Sequence, residues 1–273
     1  MAELLARTRA AAIVYRRLVG ARIRADWQYR TSFVMFTLSQ FLVAALDFVA
    51  IIVIFGRVRA IAGWSLYEVL FLYGTSGVSF ALADVLISSV ERVASHIKLG
   101  TFDQFLLRPV GALLQLTCED FALRRVGRLV QPAAALGIAI AHLPLAWTPA
   151  RVLVLASTVA SGTVLFASLW VIASSLAFWT VETQEVANSF TYGGGFITQY
   201  PLDVLGGWLR RMVLVVPIAF VTYLPSSWLL DRPDGLGVGG AVRLASPAVA
   251  LVAAIAASAV WRSAIRHYRS TGS

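Results

Sequence analysis

Six long apolar segments dominate the sequence, and each is long enough to cross a bilayer as a helix. They lie at residues 33–55, 66–90, 129–147, 152–180, 212–230 and 244–261. A hydrocarbon layer about 30 Å thick is crossed by about 20 helical residues. Backbone groups in lipid must be paired within helices unless strands close into a barrel, and the alternating pattern of barrel strands is absent. The sequence therefore predicts an all-α integral membrane protein with six transmembrane helices.

The composition agrees with lipid as the solvent of this chain. Of its 273 residues, 59% are hydrophobic and 14% are charged, and the mean hydropathy is +0.77. A soluble core of this size would leave large apolar patches in water, which argues against a soluble enzyme. The one cysteine, Cys118, excludes an intrachain disulfide and a multi-cysteine metal site. We interpret Cys118 as a small buried residue.

The positions of the basic residues predict the topology. A net charge of +9 could indicate nucleic acid, but Lys and Arg beside apolar spans more often fix orientation and meet anionic lipid headgroups. With the N-terminus inside, 18 of the 23 basic residues fall on the cytoplasmic side, including Arg210 and Arg211 between the fourth and fifth spans. We therefore expect both termini in the cytoplasm, the lipid bilayer as a partner, and no nucleic-acid partner.

Residues 1–30 have an amphipathic helical pattern. Leu4 and Leu18 fall on one side, while Arg9, Arg16 and Arg17 fall on another. This pattern predicts a helix that lies along the inner membrane surface. An ordinary solvated helix remains the alternative.

Motifs for nucleotide, metal and nucleophilic chemistry are absent from the sequence. It contains no GxxxxGK[ST] phosphate loop, no HExxH and no GxSxG, and its three histidines are widely separated. We therefore predict no catalytic residues, no metal site and no cofactor. Any use of ATP would need a separate subunit.

The longest polar interruption is the loop at residues 91–128. Its first part predicts a helix, a break at Gly100, and a second short helix that Thr101 caps and Pro109 stops. Phe102 and Phe105, beside charged residues, suit the groove of a protein partner. An interfacial helix with its aromatic rings in lipid explains the same pattern equally well.

Three motifs carry a resemblance to a known family. They are KLGTFDQFLLRP at 98–109, QYPLD at 199–203 and VPIAFVTYLP at 216–225. In this order and spacing they resemble the six-span permeases of ABC-2 type exporters, over essentially the whole chain. The resemblance implies one domain at 1–273 in the bacterial cytoplasmic membrane, a dimer with an identical or paralogous permease, and a separate ATPase.

The resemblance also implies a coupling helix in the first cytoplasmic loop. In this chain it falls between residues 91 and 108. The residues expected to couple to the ATPase are His96, Lys98, Gly100, Thr101, Phe102, Asp103, Phe105, Leu106 and Arg108. The transported cargo is not implied.

Two acidic residues lie within the apolar spans. Asp47 is near the middle of the first span and Asp84 is nearer the inner end of the second. A carboxylate at membrane depth must face the bundle, a partner or water. Each is either a polar lining for substrate or an intersubunit pair, or it makes a structural hydrogen bond between helices. For Asp47 we expect the bundle or the dimer interface rather than lipid.

Glycines precede a Tyr-Pro pair between the fourth and fifth predicted spans. Gly193, Gly194 and Gly195 lie before Tyr200 and Pro201. They form either a hinge for ATP-driven closure or part of an ordinary loop. Within the predicted fifth span, Pro217 and Pro225 are expected to cause kinks.

The sequence thus favours a permease subunit of an ATP-driven exporter. An ion-coupled secondary transporter that uses Asp47 or Asp84 as a proton carrier is the alternative, although no internal repeat is visible. An intramembrane enzyme is a third class, and it lacks a convergent catalytic set.

Overall fold

The computed structural model describes residues 20, 30–119, 126–180, 193–233 and 235–268. The predicted amphipathic segment at 1–30 therefore lies outside the described residues, apart from positions 20 and 30. Throughout the described part of the chain, every regular element is a helix.

The α-helices are given in chain order with the labels used below. They are α1 (Arg30–Phe55), α2 (Leu66–Ile87), α3 (Val93–Lys98), α4 (Asp103–Leu106), α5 (Ala112–Glu119), α6 (Gly127–His142), α7 (Pro149–Ser175), α8 (Gly207–Val215), α9 (Tyr223–Leu229), α10 (Gly240–Arg243) and α11 (Ser246–His267). Short 3-10 turns occur at Ser88–Arg92, Leu176–Phe178, Leu202–Val204 and Pro217–Phe220.

Four helices among the described residues are long and apolar enough to cross a membrane. They are Thr37–Phe55 within α1, Leu66–Ile87, Pro149–Phe178 and Ser246–His267. These match the first, second, fourth and sixth predicted spans. The start of α7 shows why the boundary falls there: Pro149 occupies the first turn, and Thr148 Oγ1 accepts a 3.3 Å hydrogen bond from Arg151 N.

The third predicted span corresponds to α6, which is shorter than the sequence indicated. Its 16 residues rise about 24 Å at 1.5 Å per residue. The sequence placed the end of this span at 147, but the helix stops at His142 and extended backbone begins at Leu143.

Buried clusters mark two opposite ends of the bundle. At one end, which we call the Trp64 end, Trp64 packs with Tyr223 and with the first residues of α2. At the other, which we call the Glu91 end, Phe102 packs with Trp261 near the end of α11. Thus α2, α7 and α11 run from the Trp64 end to the Glu91 end, while α1 and α6 run the opposite way.

The predicted fifth span, 212–230, is wrong as a continuous helix. α8 ends at Val215, a 3-10 turn follows at Pro217–Phe220, and α9 begins only at Tyr223. Val216 is extended before Pro217, with φ −84° and ψ 110°. Proline restricts the residue before it to extended backbone and donates no N–H, so the helix cannot continue through this position.

The neighbours of this segment show where it runs. The Asp203 carboxylate bonds to Trp64 at the Trp64 end. Val221 then packs halfway along the bundle beside Ala83 and Leu165, and Tyr223 returns to Asp203. Residues 207–229 therefore enter the bundle from the Trp64 end and turn back.

Asp203 and the end of α7 lie at opposite ends of the bundle. The 3-10 turn after α7 packs at the Glu91 end, where the ring of Phe178 contacts Phe102, whereas Asp203 lies at the Trp64 end. The sequence expectation that the whole loop 181–211 stays on one side is therefore wrong. The backbone of Arg210 and Arg211, within α8, belongs to the Trp64 half.

A seam of small residues joins α2 to α6. A Cβ added at Gly74 would lie 2.6 Å from Leu136 N, and one at Gly77 would lie 2.6 Å from Pro132 Cβ. Both distances are too short for real contacts, so only glycine permits this approach. Small residues allow helix backbones to pack closely in membranes, where the hydrophobic effect does not drive association.

Candidate functional site

Helices α3, α4 and α5 form a compact unit at the Glu91 end. Between α3 and α4, Gly100 has φ +68°, a left-handed conformation that favours glycine. Thr101 N and Phe102 N both donate to His96 O, at 3.0 and 3.2 Å. α4 then ends at Leu106, before Pro109. The predicted pattern of two helices broken at Gly100 is confirmed.

His96 holds this unit together, and Thr101 does not cap α4 as the sequence suggested. The N-cap position of α4 is Phe102, without a side-chain cap. The Thr101 hydroxyl instead bonds to His96 Nδ1 at 2.8 Å, and His96 Nε2 lies 2.8 Å from Glu119 Oε2. The imidazole therefore bridges α3 and α5.

Phe102 is buried, which corrects its predicted role as an exposed knob. Its side chain is 0% exposed. Its ring centroid lies 5.1 Å from that of Phe178 and 4.9 Å from that of Tyr268. Phe105 is half-buried beside it, at 6.0 Å between ring centroids. The short amphipathic helix turns its aromatic face onto α7 and α11, so these rings stabilise the fold.

Three leucines form the exposed apolar surface of this unit. Leu99 is 73% exposed, Leu106 46% and Leu107 85%. We call Leu99, Leu106 and Leu107 the apolar ridge. Lys98 and Arg108 are exposed beside it, and Asp103 is half-buried. Sequence reasoning had named Leu106 but missed Leu99 and Leu107. The position of Leu99 next to the Gly100 turn was the one signal that could have indicated its exposure.

The unit is attached to the long helices by buried polar and aromatic contacts. The Trp170 indole of α7 donates a hydrogen bond to Glu91 Oε1. Gln115 Nε2 donates to the carbonyls of Phe105 and Val110, at 2.8 and 2.6 Å, and so joins α5 to the chain after α4. The apolar ridge therefore belongs to a unit that is packed against the ends of α7 and α11.

A polar cleft lies among α1, α2, α6 and residues 195–199. Its volume is about 250 Å³. Its polar lining is Gln40, Asp47, Tyr73, Arg128, Gln131 and Gln199; its apolar and small lining is Val43, Gly77, Phe80, Ala81, Pro132, Gly195 and Phe196. Most lining residues fall within the predicted spans, and such polar groups at membrane depth commonly mark substrate or ion pathways.

The two acidic residues within the predicted spans have different surroundings in the structure. Asp84 is 1% exposed, and its Oδ2 lies 3.0 Å from Arg128 Nη1. Asp47 lines the cleft and forms no salt bridge with a basic residue in the described parts of the chain. Sequence reasoning counted Arg128 as a loop charge and so missed the pair. The spacing of 44 residues between its partners carries no sequence signal.

Two cleft amides lack full hydrogen bonding. Gln131 is 6% exposed, and neither its Nε2 nor its Oε1 makes a hydrogen bond of normal geometry with the described residues. Gln199 Oε1 is also buried without such a bond. The Tyr73 hydroxyl faces the Gln131 side chain, but no bond of normal geometry forms. Since a buried amide without full hydrogen bonding costs free energy, the remaining capacity is available to a ligand.

The glycine segment is helical at its start. Residues 193–197 are helical, and a Cβ at Gly195 would lie 3.0 Å from the Phe80 ring. Tyr200 stacks near Phe196, with 5.2 Å between ring centroids, and Pro201 is buried. Gly195 thus permits close approach to α2, which corrects the loop interpretation; a hinge role for Gly193, Gly194 and Gly195 stays a prediction.

Comparison with known proteins agrees with this arrangement. The family model described as ABC-2 family transporter protein matches residues 41–272. Comparison with curated proteins gave no match, and comparison with solved structures gave none. The match covers most of the chain, from the middle of α1 to beyond α11, and includes both the unit at the Glu91 end and the cleft. The chain therefore belongs to the ABC-2 transporter family and is a membrane permease of an ABC transporter.

Proposed function

We propose that this permease is the membrane-spanning subunit of an ATP-driven exporter in a bacterial cytoplasmic membrane. The observation that carries the proposal is the apolar ridge, because it is exposed on a unit attached firmly to two long helices. A separate ATPase would bind this ridge, and nucleotide-driven movement would pass through α7 and α11 to the cleft.

The topology that fits this proposal has six crossings and both termini in the cytoplasm. Five crossings are α1, α2, α6, α7 and α11, and the sixth includes the described residues 193–203, which run along α2 from Phe80 to the Trp64 end. With Arg210 and Arg211 counted on the outer side, 16 of the 23 basic residues belong in sequence to three segments: residues 1–30, residues 92–128 between α2 and the first turn of α6, and residues from 262 onward. That excess supports a cytoplasmic Glu91 end.

A second permease, identical or paralogous, would pack against α1. Side chains of α1 that line the cleft are uncovered in the single chain: Val43 is 60% exposed, and Asp47 is also exposed. The cleft is lined by α1 through Gln40 and Asp47. A partner permease on this side would close the cleft and complete the pathway.

The cleft suits a transport pathway better than a proton relay. In a secondary transporter, a carboxylate must gain and lose a proton during the cycle. Asp84 is buried and paired with Arg128 at 3.0 Å, so this carboxylate already has a structural role between α2 and α6. Only Asp47 remains as a candidate carrier in the described chain.

Purification of the tagged permease from its native membrane tests the proposal. We expect an ATP-binding subunit in constant ratio to the permease, and ATP hydrolysis that responds to reconstitution in lipid. A permease that carries solute in proteoliposomes without any ATPase, driven by an ion gradient, would contradict it.

A further inference from the structure

The charges in the cleft do not balance. Arg128 and Asp84 neutralise each other at 3.0 Å, whereas Asp47 has no basic partner within the described residues. Asp47 and Arg128 are the two charged residues of the described lining. Because Arg128 is engaged by Asp84, which lies outside the lining, Asp47 is left without a counterion among the described residues. A carboxylate at membrane depth is expensive without a positive counterpart, so the cleft favours a cation.

Aromatic rings line the same cleft. Phe80 and Phe196 are part of its wall, and Tyr200 lies 5.2 Å from Phe196 between ring centroids. Tyr73 forms another part of the lining. The faces of aromatic rings attract cations and also cover apolar groups, so one wall serves both parts of an amphiphilic cation.

The buried amide of Gln131 adds hydrogen-bonding capacity to the cleft, although one side of it faces the Tyr73 hydroxyl. It lines the cleft at 6% exposure, and neither amide atom makes a hydrogen bond of normal geometry among the described residues. Ligand pockets in general combine apolar walls with a few convergent polar groups. A ligand with a hydrogen-bonding group would satisfy this amide.

We propose that the cleft binds monovalent organic cations with an aromatic or apolar body, and that such cations are the cargo. Asp47 supplies the charge, Phe80 and Phe196 cover the body, and Gln131 bonds to polar substituents. The claim that these cations are the cargo rests on the proposed transport function, whereas the claim that the cleft binds them does not. The volume of about 250 Å³ lies just below the range usual for ligand pockets, which begins at about 300 Å³, so the cleft holds at most one molecule at a time.

Two ions of matched shape and opposite charge test the proposal. The purified permease in nanodiscs is titrated with tetraphenylphosphonium and, separately, with tetraphenylborate, and empty nanodiscs correct for partition into lipid. We expect saturable binding of the phosphonium and none of the borate. Equal saturable binding of the two ions, or tighter binding of the borate, would overturn the proposal.

Variants assign the binding to this cleft. Asp47→Asn should weaken phosphonium binding by about tenfold or more, while Asp47→Glu should retain most of it. The matched control is Asp231→Asn, because that carboxylate lies at the Trp64 end beside Arg151 and should not affect binding. Thermal unfolding of each variant shows that the bundle is intact.

Two results would contradict the assignment and leave the transport function standing. The first is unchanged phosphonium affinity in folded Asp47→Asn. The second is equally tight binding of neutral triphenylphosphine oxide, which would indicate an uncharged polar cargo. Association with an ATPase is measured separately, so failure of the cation site is distinguishable from failure of the permease function.

Discussion

The indole Nε1 of Trp64 donates a 2.8 Å hydrogen bond to Asp203 Oδ2, across 139 residues of sequence. The Tyr223 hydroxyl donates to the same oxygen at 2.8 Å and accepts a 2.9 Å bond from Gly235 N. One carboxylate therefore ties the α1–α2 loop to both sides of the segment 207–229. This relationship places Asp203 at the Trp64 end, whereas the charge pattern alone placed it in the cytoplasm.

Cysteine labelling tests that placement. In a Cys118→Ser background, Gly206→Cys should react with an impermeant maleimide added outside the cell, because Gly206 lies at the Trp64 end and has open space around it. Gly239→Cys is the positive control at the same end, also in open space. Ser95→Cys should react only after permeabilisation. If the thiol at position 239 reacts and the thiol at position 206 does not, the placement of Gly206 at the Trp64 end is contradicted. The cytoplasmic placement predicted from the charge pattern would then be correct.

Much of the bundle follows from sequence alone, because long apolar runs determine α1, α2, α7 and α11. The segment 212–230 has the same composition, yet hydropathy cannot distinguish a span from a pair of helices that enters and returns. From the sequence, this segment was expected to be a kinked helix, whereas the structure shows complete breaks at Pro217 and before Tyr223. The deciding contact, Asp203 with Trp64, is a pairing of distant residues.

The unit at the Glu91 end shows a different limit of sequence reasoning. The break at Gly100 was predictable because glycine tolerates the left-handed turn. The burial of Phe102 was not, because a short amphipathic helix has the same pattern whether its apolar face meets lipid, a partner or its own bundle. Only the positions of α7 and α11 decide among these.

The seam between α2 and α6 should not tolerate a methyl group. Gly74→Ala is expected to destabilise the permease by about 1–3 kcal/mol through overpacking, since the added Cβ would meet backbone atoms of Leu136 at 2.6 and 2.8 Å. Gly137→Ala, on α6, adds its Cβ into open space and should be neutral or slightly stabilising. Fluorescence-monitored unfolding in nanodiscs compares the two; equal stability of both variants would argue against the close approach.

The Asp84–Arg128 pair should respond asymmetrically to its two single substitutions. Arg128→Gln removes the guanidinium that lies 3.0 Å from a carboxylate that is 1% exposed. Breaking a buried pair in this way costs about 3 kcal/mol or more. Asp84→Asn leaves a guanidinium whose side chain is 29% exposed, so it should destabilise less. The double variant should be more stable than the sum of the two losses predicts. Additive losses in unfolding measurements would show that the two groups do not interact.

The apolar ridge and the buried ring of Phe102 should behave differently when replaced. Leu99→Glu and Leu107→Glu should leave unfolding unchanged, because both side chains are largely exposed, but they should weaken ATPase association. Phe102→Ala should destabilise the fold by about 3–5 kcal/mol and so lose association indirectly. Gly239→Glu, at the Trp64 end, is the control for an added charge. If both ridge variants still bind the ATPase, the apolar ridge is not part of the interface.

Photo-crosslinking from the ridge tests the central claim most directly. A benzophenone maleimide is attached to the Leu107→Cys variant in the Cys118→Ser background, and the permease is purified from native membranes with its partners. We predict a crosslink to an ATP-binding subunit from position 107 and none from the Gly239→Cys variant, labelled at the opposite end. A crosslink from position 239, or no crosslink from position 107 in a preparation that contains the ATPase, would contradict the account.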